Sequence, residues 1–376
     1  MIAGLVGGPI VGLGAGLIGG IHRYFLEGFT AVPCALSTVV AGLAGGLIYK
    51  WRKGEFIGIP GAVLFAFLME SLHMGLALLI ARPFSEALEV VKLISLPMII
   101  ANTIGMAIFA FIVSNLIKER KTVAEKDRYR SELERQTYEM EIAGGIQRSF
   151  LPESPPKIEG AELAALNLPA REVGGDFYDF IPISTDKWGL VIADVSGKGV
   201  PAALFMALSR TLVRANVAGN ATPSEAIRKA GNLIAEDDRS SMFVTLFYSV
   251  LDSRKKTLTY VNAGHNPPFM LRRGGGDIIM LEAKGIALGV MPNIELEEKE
   301  ISLQGGDIVV LYTDGVTEAI NGKEEQFGKE RLISIAEKNR NLPASELVKR
   351  IQQEVTAFSQ GQPQFDDITL MILKVG

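Results

Sequence analysis

The sequence has little cysteine: among its 376 residues there is one, Cys34, and it lies in an apolar run. A single thiol excludes an intrachain disulfide framework and a thiolate cluster that could hold zinc or iron–sulfur. This composition fits a domain in a reducing compartment. The sequence also lacks a Gly-x-x-x-x-Gly-Lys-Ser loop and a His-box followed by a glycine-rich ATP lid, which argues against a kinase.

Net charge is small as well. A formal value of −4 at pH 7 gives no reason to expect a nucleic-acid partner. Hydrophobic residues, in contrast, make up 48% of the chain, and the mean hydropathy of +0.25 is high for a wholly soluble protein. The N-terminus has neither a charged start nor a small-residue cleavage site. We therefore expect the first apolar run to stay in the membrane as part of the mature protein.

Four apolar stretches of membrane-spanning length precede residue 118, at about 2–20, 29–49, 56–81 and 93–117. Each is near the ~20 residues that a helix needs to cross a bilayer. We therefore predict an all-α transmembrane bundle over residues 1–117, in contact with membrane lipid. Basic residues follow the second and fourth stretches: Lys50, Arg52, Lys53, Lys118, Arg120, Lys121, Lys126, Arg128 and Arg130.

These basic residues predict the orientation of the bundle. By the positive-inside rule, the connectors that carry them face the cytoplasm, and so does the C-terminal part of the chain. The protein is then a multi-pass protein of the inner membrane. The connector at 83–92 could also be a short interfacial helix that leads into the last span. Glu70 and His73 are ionisable groups within a span, where they either contact a ligand or pair with each other.

Small residues are frequent in the first two spans, over 4–20 and 41–47. They allow the backbones of two helices to approach closely, so we expect tight helix packing. Residues 7–24 and 28–34 resemble the multi-helix sensor domain of LytS-type bacterial receptors. That family normally has a further helix upstream with an Asn-x-Arg element, which this sequence lacks. We therefore expect a bundle that is truncated or incomplete at its start.

Residues 118–150 are highly charged and contain no proline, which predicts a cytoplasmic linker helix. Leu133 and Met140 are seven residues apart, and further apolar residues follow at helical spacing. This pattern favours a parallel coiled coil that joins two protomers in a homodimer, or a solvated helix with an apolar stripe that docks on the next domain. The prolines within 152–156 then end the helix.

Residues 151–376 change to short β-type runs at 172–181, 188–195, 242–250, 257–263, 307–314 and 367–373. Helical stretches lie between them at about 200–215, 223–236, 328–338 and 344–358. Strands arrive in hairpin-like pairs and helices are grouped together. This order predicts a layered α+β sandwich and argues against a parallel doubly wound sheet.

Acidic residues recur where these strands begin or end. They are Asp176 in Gly-Gly-Asp, Asp194 in Asp-Val-Ser-Gly-Lys-Gly, Asp314 in Thr-Asp-Gly, and the pair Asp366 and Asp367 in Asp-Asp-Ile-Thr. Carboxylates at strand ends can converge on one point, and neighbouring glycines let the backbone approach closely. A set of oxygen ligands without histidine or cysteine suits a hard cation such as Mg²⁺ or Mn²⁺.

The order of these motifs resembles the PPM family of metal-dependent protein phosphatases, in its bacterial SpoIIE/RsbU branch. Residues 143–152, 201–207 and 262–268 add to the similarity, which spans about 143–376. The resemblance implies a PPM-like αββα sandwich and a protein serine/threonine phosphatase. It also implies two divalent ions, Mn²⁺ or Mg²⁺, that activate a water for direct attack on phosphorus. In the mechanism that the resemblance implies, no covalent phosphoenzyme is needed, and the sequence is consistent with this because it has no Cys-x5-Arg loop.

The resemblance also implies roles for individual residues. Asp176 and Asp194 would hold the ions together with the backbone carbonyl of Val195, and Asp314 and Asp366 would complete the second ion's ligands. Asp367 would support these ligands from behind. Two further residues have weaker candidate roles: Lys198, which could contact the substrate phosphate, and His265, which could donate a proton to the leaving oxygen or be structural.

The leading hypothesis is therefore a membrane-anchored phosphatase. The family suggests a phosphoserine or phosphothreonine on a STAS-type anti-sigma-factor antagonist as its substrate. The alternative is a membrane receptor whose C-terminal domain binds a partner without catalysis. All the candidate metal positions are acidic, which argues against the alternative.

Overall fold

The structure, a computed structural model, describes residues 1–217, 222–237, 241–274 and 278–376. The chain divides into two units, Met1–Leu133 and Glu134–Gly376. The first unit is helical. The second holds all the strands that the structure describes.

The first unit is built from helices α1 (Ile2–Phe25), α2 (Ala31–Trp51), α3 (Gly58–Ile80) and the first part of α4 (Phe84–Phe150). Each of these helices is long and apolar enough to cross a membrane. The prediction of an apolar helical bundle is thereby confirmed. Helix α4 is 67 residues long, so the connector at 83–92, the fourth span and the charged stretch after it form one uninterrupted helix.

Helices α1 and α2 contact each other at glycine residues. A Cβ atom added to Gly12 would collide with the backbone carbonyl of Gly42, and one added to Gly42 would collide with the carbonyl of Gly12. Neither position can hold a larger residue without separating the helices. The small residues in these spans therefore serve close backbone packing, as the sequence predicted.

The ionisable pair in α3 is bonded within the bundle. His73 Nδ1 lies 3.3 Å from Glu70 Oε2, and Asn102 of α4 donates to Glu70 Oε1 at 2.9 Å. His73 Nε2 lies 3.1 Å from Cys34 Sγ on α2. Pairing between Glu70 and His73 is thus the arrangement observed. Both side chains also line a cavity of about 450 Å³.

The second unit begins within α4 and continues through ten strands and five further helices among the described residues. The strands are β1 (Ala161–Leu168), β2 (Phe177–Ser184), β3 (Lys187–Val195), β4 (Val244–Asp252), β5 (Thr257–Ala263), β6 (Phe269–Leu271), β7 (Ile278–Met280), β8 (Glu298–Ser302), β9 (Ile308–Tyr312) and β10 (Ile368–Val375). The helices are α5 (Val200–Val217), α6 (Pro223–Asp237), α7 (Asp314–Thr317), α8 (Lys329–Lys338) and α9 (Ala344–Ser359).

The strands form two antiparallel sheets, with the orders β1-β10-β9-β6-β7 and β2-β3-β4-β5-β8. Alternate side chains of β10 lie in two different cores, and this shows how the two sheets are layered. Leu370 and Ile372 pack in one core with residues of α8 and α9, whereas Met371 and Leu373 pack in another with residues of the second sheet. Helices α5 and α6 cover the outer face of that second sheet. The unit is an αββα sandwich, and the predicted fold class is confirmed.

Several strand predictions were incomplete. The run at 172–181 begins as a loop, and β2 starts only at Phe177. Strand β1 was not predicted, because Ala161–Leu168 has the composition of a helix and becomes a strand by pairing with β10 along its full length. Strands β6 and β7 have three residues each, and β8 is mostly charged, so none shows a clear alternating pattern.

A buried ion pair joins α5 to the second sheet. Asp179 on β2 is 1% exposed and accepts hydrogen bonds from Arg214 Nη1 at 2.7 and 2.8 Å. Arg210 Nη2 also lies 3.0 Å from Asp179 Oδ2. Both arginines are on α5, one turn apart. The pair thus fixes the register of α5 on the strand that follows Asp176.

We predict that Asp179→Asn destabilises the second unit by about 3 kcal/mol, because it leaves the arginines without their buried counter-ion. Urea unfolding would be followed by Trp188 fluorescence in a Trp51→Phe background, since the chain has two tryptophans. The control is Glu354→Gln, which breaks a pair with Arg350 on the surface of α9. It should change stability by less than ~1 kcal/mol. Equal effects of the two substitutions would contradict this account.

Candidate active site

The fold brings the predicted acidic residues to one end of the sandwich. Asp176 precedes β2 and Asp194 lies near the end of β3, and these antiparallel strands pair Phe177 with Ala193. In the other sheet, Asp314 follows β9 and Asp366 precedes β10, and Tyr312 pairs with Leu370. Each sheet therefore contributes two strand ends to the same edge. These four aspartates and Asp367 form the aspartate edge.

Asp176 is the most constrained member of the aspartate edge. Its side chain is 4% exposed, and its Oδ2 accepts hydrogen bonds of 2.7 Å from the hydroxyls of Thr313 and Thr369. Both hydroxyls also accept a hydrogen bond: Thr313 Oγ1 from the Thr369 N–H at 3.0 Å, and Thr369 Oγ1 from Asn167 Nδ2 at 2.9 Å. The position of this carboxylate is thus set by two elements of the other sheet: the end of β9, which Thr313 follows, and β10, which contains Thr369.

Asp367 holds the loop in front of β2. Its Oδ1 accepts from the Ala170 N–H at 2.7 Å, and its Oδ2 accepts from Gly175 and Asp176 at 2.6 and 3.3 Å. A Cβ atom at Gly174 would collide with this carboxylate, so only glycine allows the loop to come so close. With its oxygens engaged by backbone N–H groups, Asp367 fixes the position of Asp176.

The last turn of α4 holds the same loop from the other side. The side chain of Gln147 is buried; its Oε1 accepts from the Gly174 N–H at 3.0 Å, and its Nε2 donates to the Gly174 carbonyl at 2.5 Å. One amide side chain thus satisfies both polar groups of a single peptide residue. The backbone of Gly174 is thereby tied to α4, two residues before Asp176.

The carboxylates raise one another's pKa. Burial, Asp194 and Asp367 hold the pKa of Asp176 well above its usual value. Burial and Asp314 raise the pKa of Asp194 to about 7. Burial, Glu318 and Asp366 also raise the pKa of Asp314, and Lys198 opposes this rise. The aspartate edge is thus a concentration of negative charge that a cation would stabilise.

Lys198 lies at the exposed side of the aspartate edge. Its Nζ is 2.9 Å from Asp366 Oδ2 and donates to the Phe365 carbonyl at 2.6 Å. The same ammonium group lies 3.9 Å from the centre of the Phe365 ring. The turn that carries Lys198 leads directly into α5. Its placement fits a role in contacting a phosphate, which stays a prediction.

His265 lies behind the aspartate edge and not at its surface. The side chain is buried, and Nδ1 is 2.9 Å from Thr245 Oγ1, which in turn lies 3.4 Å from the Asp194 carbonyl. Burial lowers the pKa of His265 to about 4, so the ring is neutral at pH 7. This environment favours a structural role over donation of a proton to a leaving group. The role itself stays a prediction.

The residues of the aspartate edge suit a hard cation by their chemistry. All the candidate side-chain ligands are carboxylate oxygens, and the Val195 carbonyl lies against Gly175, beside Asp176. In the part of the chain that the structure describes, no three acidic, histidine or cysteine side chains stand close enough together to hold an ion as they are placed. Their mutual repulsion nonetheless fits a site that is completed by divalent cations.

Sequence reasoning missed the residues that support this site. Thr313 and Thr369 lie inside the Thr-Asp-Gly and Asp-Asp-Ile-Thr motifs, and Gln147 lies within the stretch 143–152. Their position inside these motifs was the sequence signal that could have identified them. The partners of the three side chains are distant in the sequence, since Thr369 bonds Asp176 across 193 positions. The hydrogen-bond partners of these three side chains can therefore be identified only in the folded structure.

Solved structures share this fold. The SiaA-PP2C domain of Pseudomonas aeruginosa aligns with a TM-score of 0.59 and 21% identity, over 65% of this chain and 98% of that domain. A structure of the PP2C phosphatase domain of SpoIIE from Bacillus subtilis, with a fragment of its regulatory domain, aligns with a TM-score of 0.50 and 20% identity, over 58% of this chain and 64% of that one. The sandwich is that of the PP2C-type phosphatases.

Sequence comparisons identify the branch. Residues 184–376 match the family described as Stage II sporulation protein E (SpoIIE), and residues 1–116 match 5TMR of 5TMR-LYT. The phosphoserine phosphatase RsbU of Bacillus subtilis is 32% identical over 238 residues, which are 63% of this chain and 70% of RsbU. The chain belongs to the SpoIIE family of PP2C-type phosphatases, and it carries an N-terminal 5TMR-LYT sensor domain.

Other relatives match only in part. Protein IcfG of Synechocystis is 35% identical over 261 residues, and the match spans 62% of this chain but 41% of IcfG. The sensor protein LytS of Bacillus subtilis is 40% identical over 131 residues, which are 34% of this chain and 22% of LytS. The SpoIIE match begins at residue 184 and so contains Asp194, Asp314 and Asp366, whereas Asp176 precedes it.

We predict that Gln147→Ala lowers phosphatase activity by roughly 10- to 100-fold, the range found when partners that orient metal ligands are removed. The loss follows because the Gly174 peptide and the neighbouring Asp176 are no longer held in place. Hydrolysis of p-nitrophenyl phosphate by the full chain in detergent would measure it. Ser149→Ala is the control, since that hydroxyl donates to the Ile146 carbonyl within its own helix. Comparable rates for the two variants would contradict the positioning role of Gln147.

Proposed function

We propose that this protein is a membrane-anchored, metal-dependent protein serine/threonine phosphatase. The observation that carries the proposal is the aspartate edge, where four strand ends from two sheets bring acidic groups together. Membership of the SpoIIE family supports it, as does the phosphoserine phosphatase activity in the name of RsbU. The alternative, a receptor whose C-terminal domain does not catalyse a reaction, does not explain why the fold brings mutually repelling carboxylates together.

In this proposal two divalent ions, Mn²⁺ or Mg²⁺, are held by Asp176, Asp194, the Val195 carbonyl, Asp314 and Asp366. Bound ions of this kind lower the pKa of a coordinated water and neutralise the oxygens of a phosphate ester. The chain's own residues fix the ligands. Thr313 and Thr369 orient Asp176 from one sheet, while Asp367 and Gln147 hold its loop.

Lys198 completes the site on its open side. Its ammonium group already lies beside Asp366, so it can donate to a phosphate oxygen that approaches the aspartate edge. No cysteine is present beyond residue 34, and the proposed mechanism requires no phosphocysteine intermediate. His265 is assigned a structural role in this proposal. It contacts Thr245, and the hydroxyl of Thr245 in turn contacts the Asp194 carbonyl.

For the whole chain we propose three parts: a transmembrane sensor bundle at 1–117, a linker helix at 118–150 and the phosphatase domain at 151–376. The basic residues after the second and fourth spans favour a cytoplasmic position for the phosphatase domain. On the linker, Ile142, Ile146 and Phe150 expose 47%, 55% and 41% of their surface. Such a row of apolar side chains supports the proposed homodimer through this helix.

The proposed substrate is a phosphoserine or phosphothreonine on a STAS-type anti-sigma-factor antagonist. Its support is the similarity to RsbU and the SpoIIE family. The test is loss of the phosphoryl group from such a protein, measured by mass spectrometry with the full chain in detergent. A chain that hydrolyses p-nitrophenyl phosphate but leaves every STAS phosphoprotein intact would contradict this substrate and leave the phosphatase function standing.

We predict that EDTA abolishes hydrolysis of p-nitrophenyl phosphate by the full chain and that Mn²⁺ or Mg²⁺ restores it. The reason is that the candidate ligands are oxygen atoms, which favour hard cations. Trp188 fluorescence in the Trp51→Phe background, measured before and after EDTA, would show that the fold persists. Undiminished turnover after exhaustive chelation would contradict the metal-dependent mechanism.

We predict that Asp314→Asn abolishes turnover without unfolding the protein, because it removes a ligand at the half-buried rim and empties no core. Asp367→Asn should be milder, with a loss of roughly 10- to 100-fold, since Asp367 holds a loop and no ion. Glu337→Gln on the exposed face of α8 is the control. Steady-state rates at saturating Mn²⁺ would measure all three, and near-normal activity of Asp314→Asn would overturn the ligand assignment.

A further inference from the structure

A small cavity lies beside the aspartate edge, between the end of α9 and the segment 361–366 that precedes β10. Its volume is about 140 Å³, and its apolar lining comprises Ala319, Ile320, Val355, Pro363, Phe365 and Ile368. A cavity of ~150 Å³ with apolar walls accommodates one benzene molecule. The cavity is therefore of the size to take one side chain.

The two hydroxyl groups in its wall are already hydrogen-bonded within α9. Thr356 Oγ1 donates to the Gln352 carbonyl at 3.0 Å, and Ser359 Oγ donates to the Val355 carbonyl at 3.2 Å, both within α9. Neither hydroxyl needs a partner from outside. Glu318 also lines the cavity and would repel an acidic occupant. An apolar side chain is the occupant that this lining favours.

The cavity is continuous with the candidate active site. Asp366 and Gly315 line it, and they are, respectively, a candidate metal ligand and the neighbour of Asp314. A phosphoprotein bound at the aspartate edge would therefore lie beside this cavity. Because an extended chain advances about 3.3 Å per residue, the residues that could reach the cavity are those close in sequence to the phosphorylated one.

One wall is an exposed aromatic ring held in place. Phe365 is 70% exposed, and the Lys198 ammonium group lies 3.9 Å from the centre of its ring. The preceding residue, Gln364, donates to the carbonyls of Leu168 and Asp366, both at 2.8 Å. The segment is thus fixed before any substrate arrives, and its ring is available for contact.

We propose that this cavity is a specificity subsite that takes one aliphatic or aromatic side chain located within three residues of the substrate's phosphoserine. The proposal rests on the proposed phosphatase function and adds a sequence preference to it. The occupant is a residue of the phosphoprotein itself, because the cavity shares its wall with the site that binds the phosphate.

The test uses the full chain in detergent with Mn²⁺ and a set of phosphoserine peptides. One peptide has alanine at every flanking position, and the others carry a single leucine at each position from three before to three after the phosphoserine. We expect leucine at one position to raise kcat/KM about tenfold over the alanine peptide, as the transfer of extra methylene groups into an apolar pocket does.

Three variants test whether that preference arises at the cavity. Thr356→Phe places a ring in the wall of the cavity and should bring the leucine-to-alanine ratio of kcat/KM to about one. Gln353→Phe places the same ring on an exposed position of α9 that does not line the cavity, and it should keep the ratio. Turnover of the alanine peptide shows that each variant is folded, and Ser359→Leu is a second way to fill the cavity.

The outcomes separate the two proposals. If no peptide is hydrolysed, the proposed function fails and this inference fails with it. Equal rates for all peptides would overturn the subsite alone. A leucine preference that survives both Thr356→Phe and Ser359→Leu would also overturn it, because the preference would then arise elsewhere.

Discussion

Repulsion among the carboxylates at one end of the sandwich is the constraint on which the second unit depends. Five aspartates meet there, and burial together with their neighbours raises the pKa of Asp176, Asp194 and Asp314. Folding alone does not favour such a cluster. Hydrogen bonds hold Asp176 and Asp367 in place, and a bound cation would reduce the repulsion among the carboxylates.

The supporting contacts come from separate parts of the chain. Thr313 and Thr369 belong to the strand ends of one sheet, whereas Asp367 and Gln147 fix the loop that leads into the other. The buried pair of Asp179 with α5 then fixes the helix that follows Lys198. The geometry of the aspartate edge therefore depends on contacts that come from both sheets and from α4.

Local patterns predicted much of this arrangement. The apolar stretches gave the membrane helices, and motif order indicated the PPM-like sandwich and the acidic residues at its edge. The sequence could not reveal β1, because Ala161–Leu168 is a strand only through its pairing with β10 at the far end of the chain. The role of Gln147 was hidden for a related reason: its partner, Gly174, lies in a loop that is placed by the fold.

The hydrogen bonds around Asp176 also restrict how this residue can serve as a ligand. Each threonine hydroxyl accepts one N–H, so its own hydrogen is directed at Oδ2 of Asp176. Two donors therefore engage that one oxygen of Asp176. If Asp176 holds an ion as proposed, these two donors would favour binding through one carboxylate oxygen. A large cation that needs both oxygens of a carboxylate would then be disfavoured relative to a small octahedral ion.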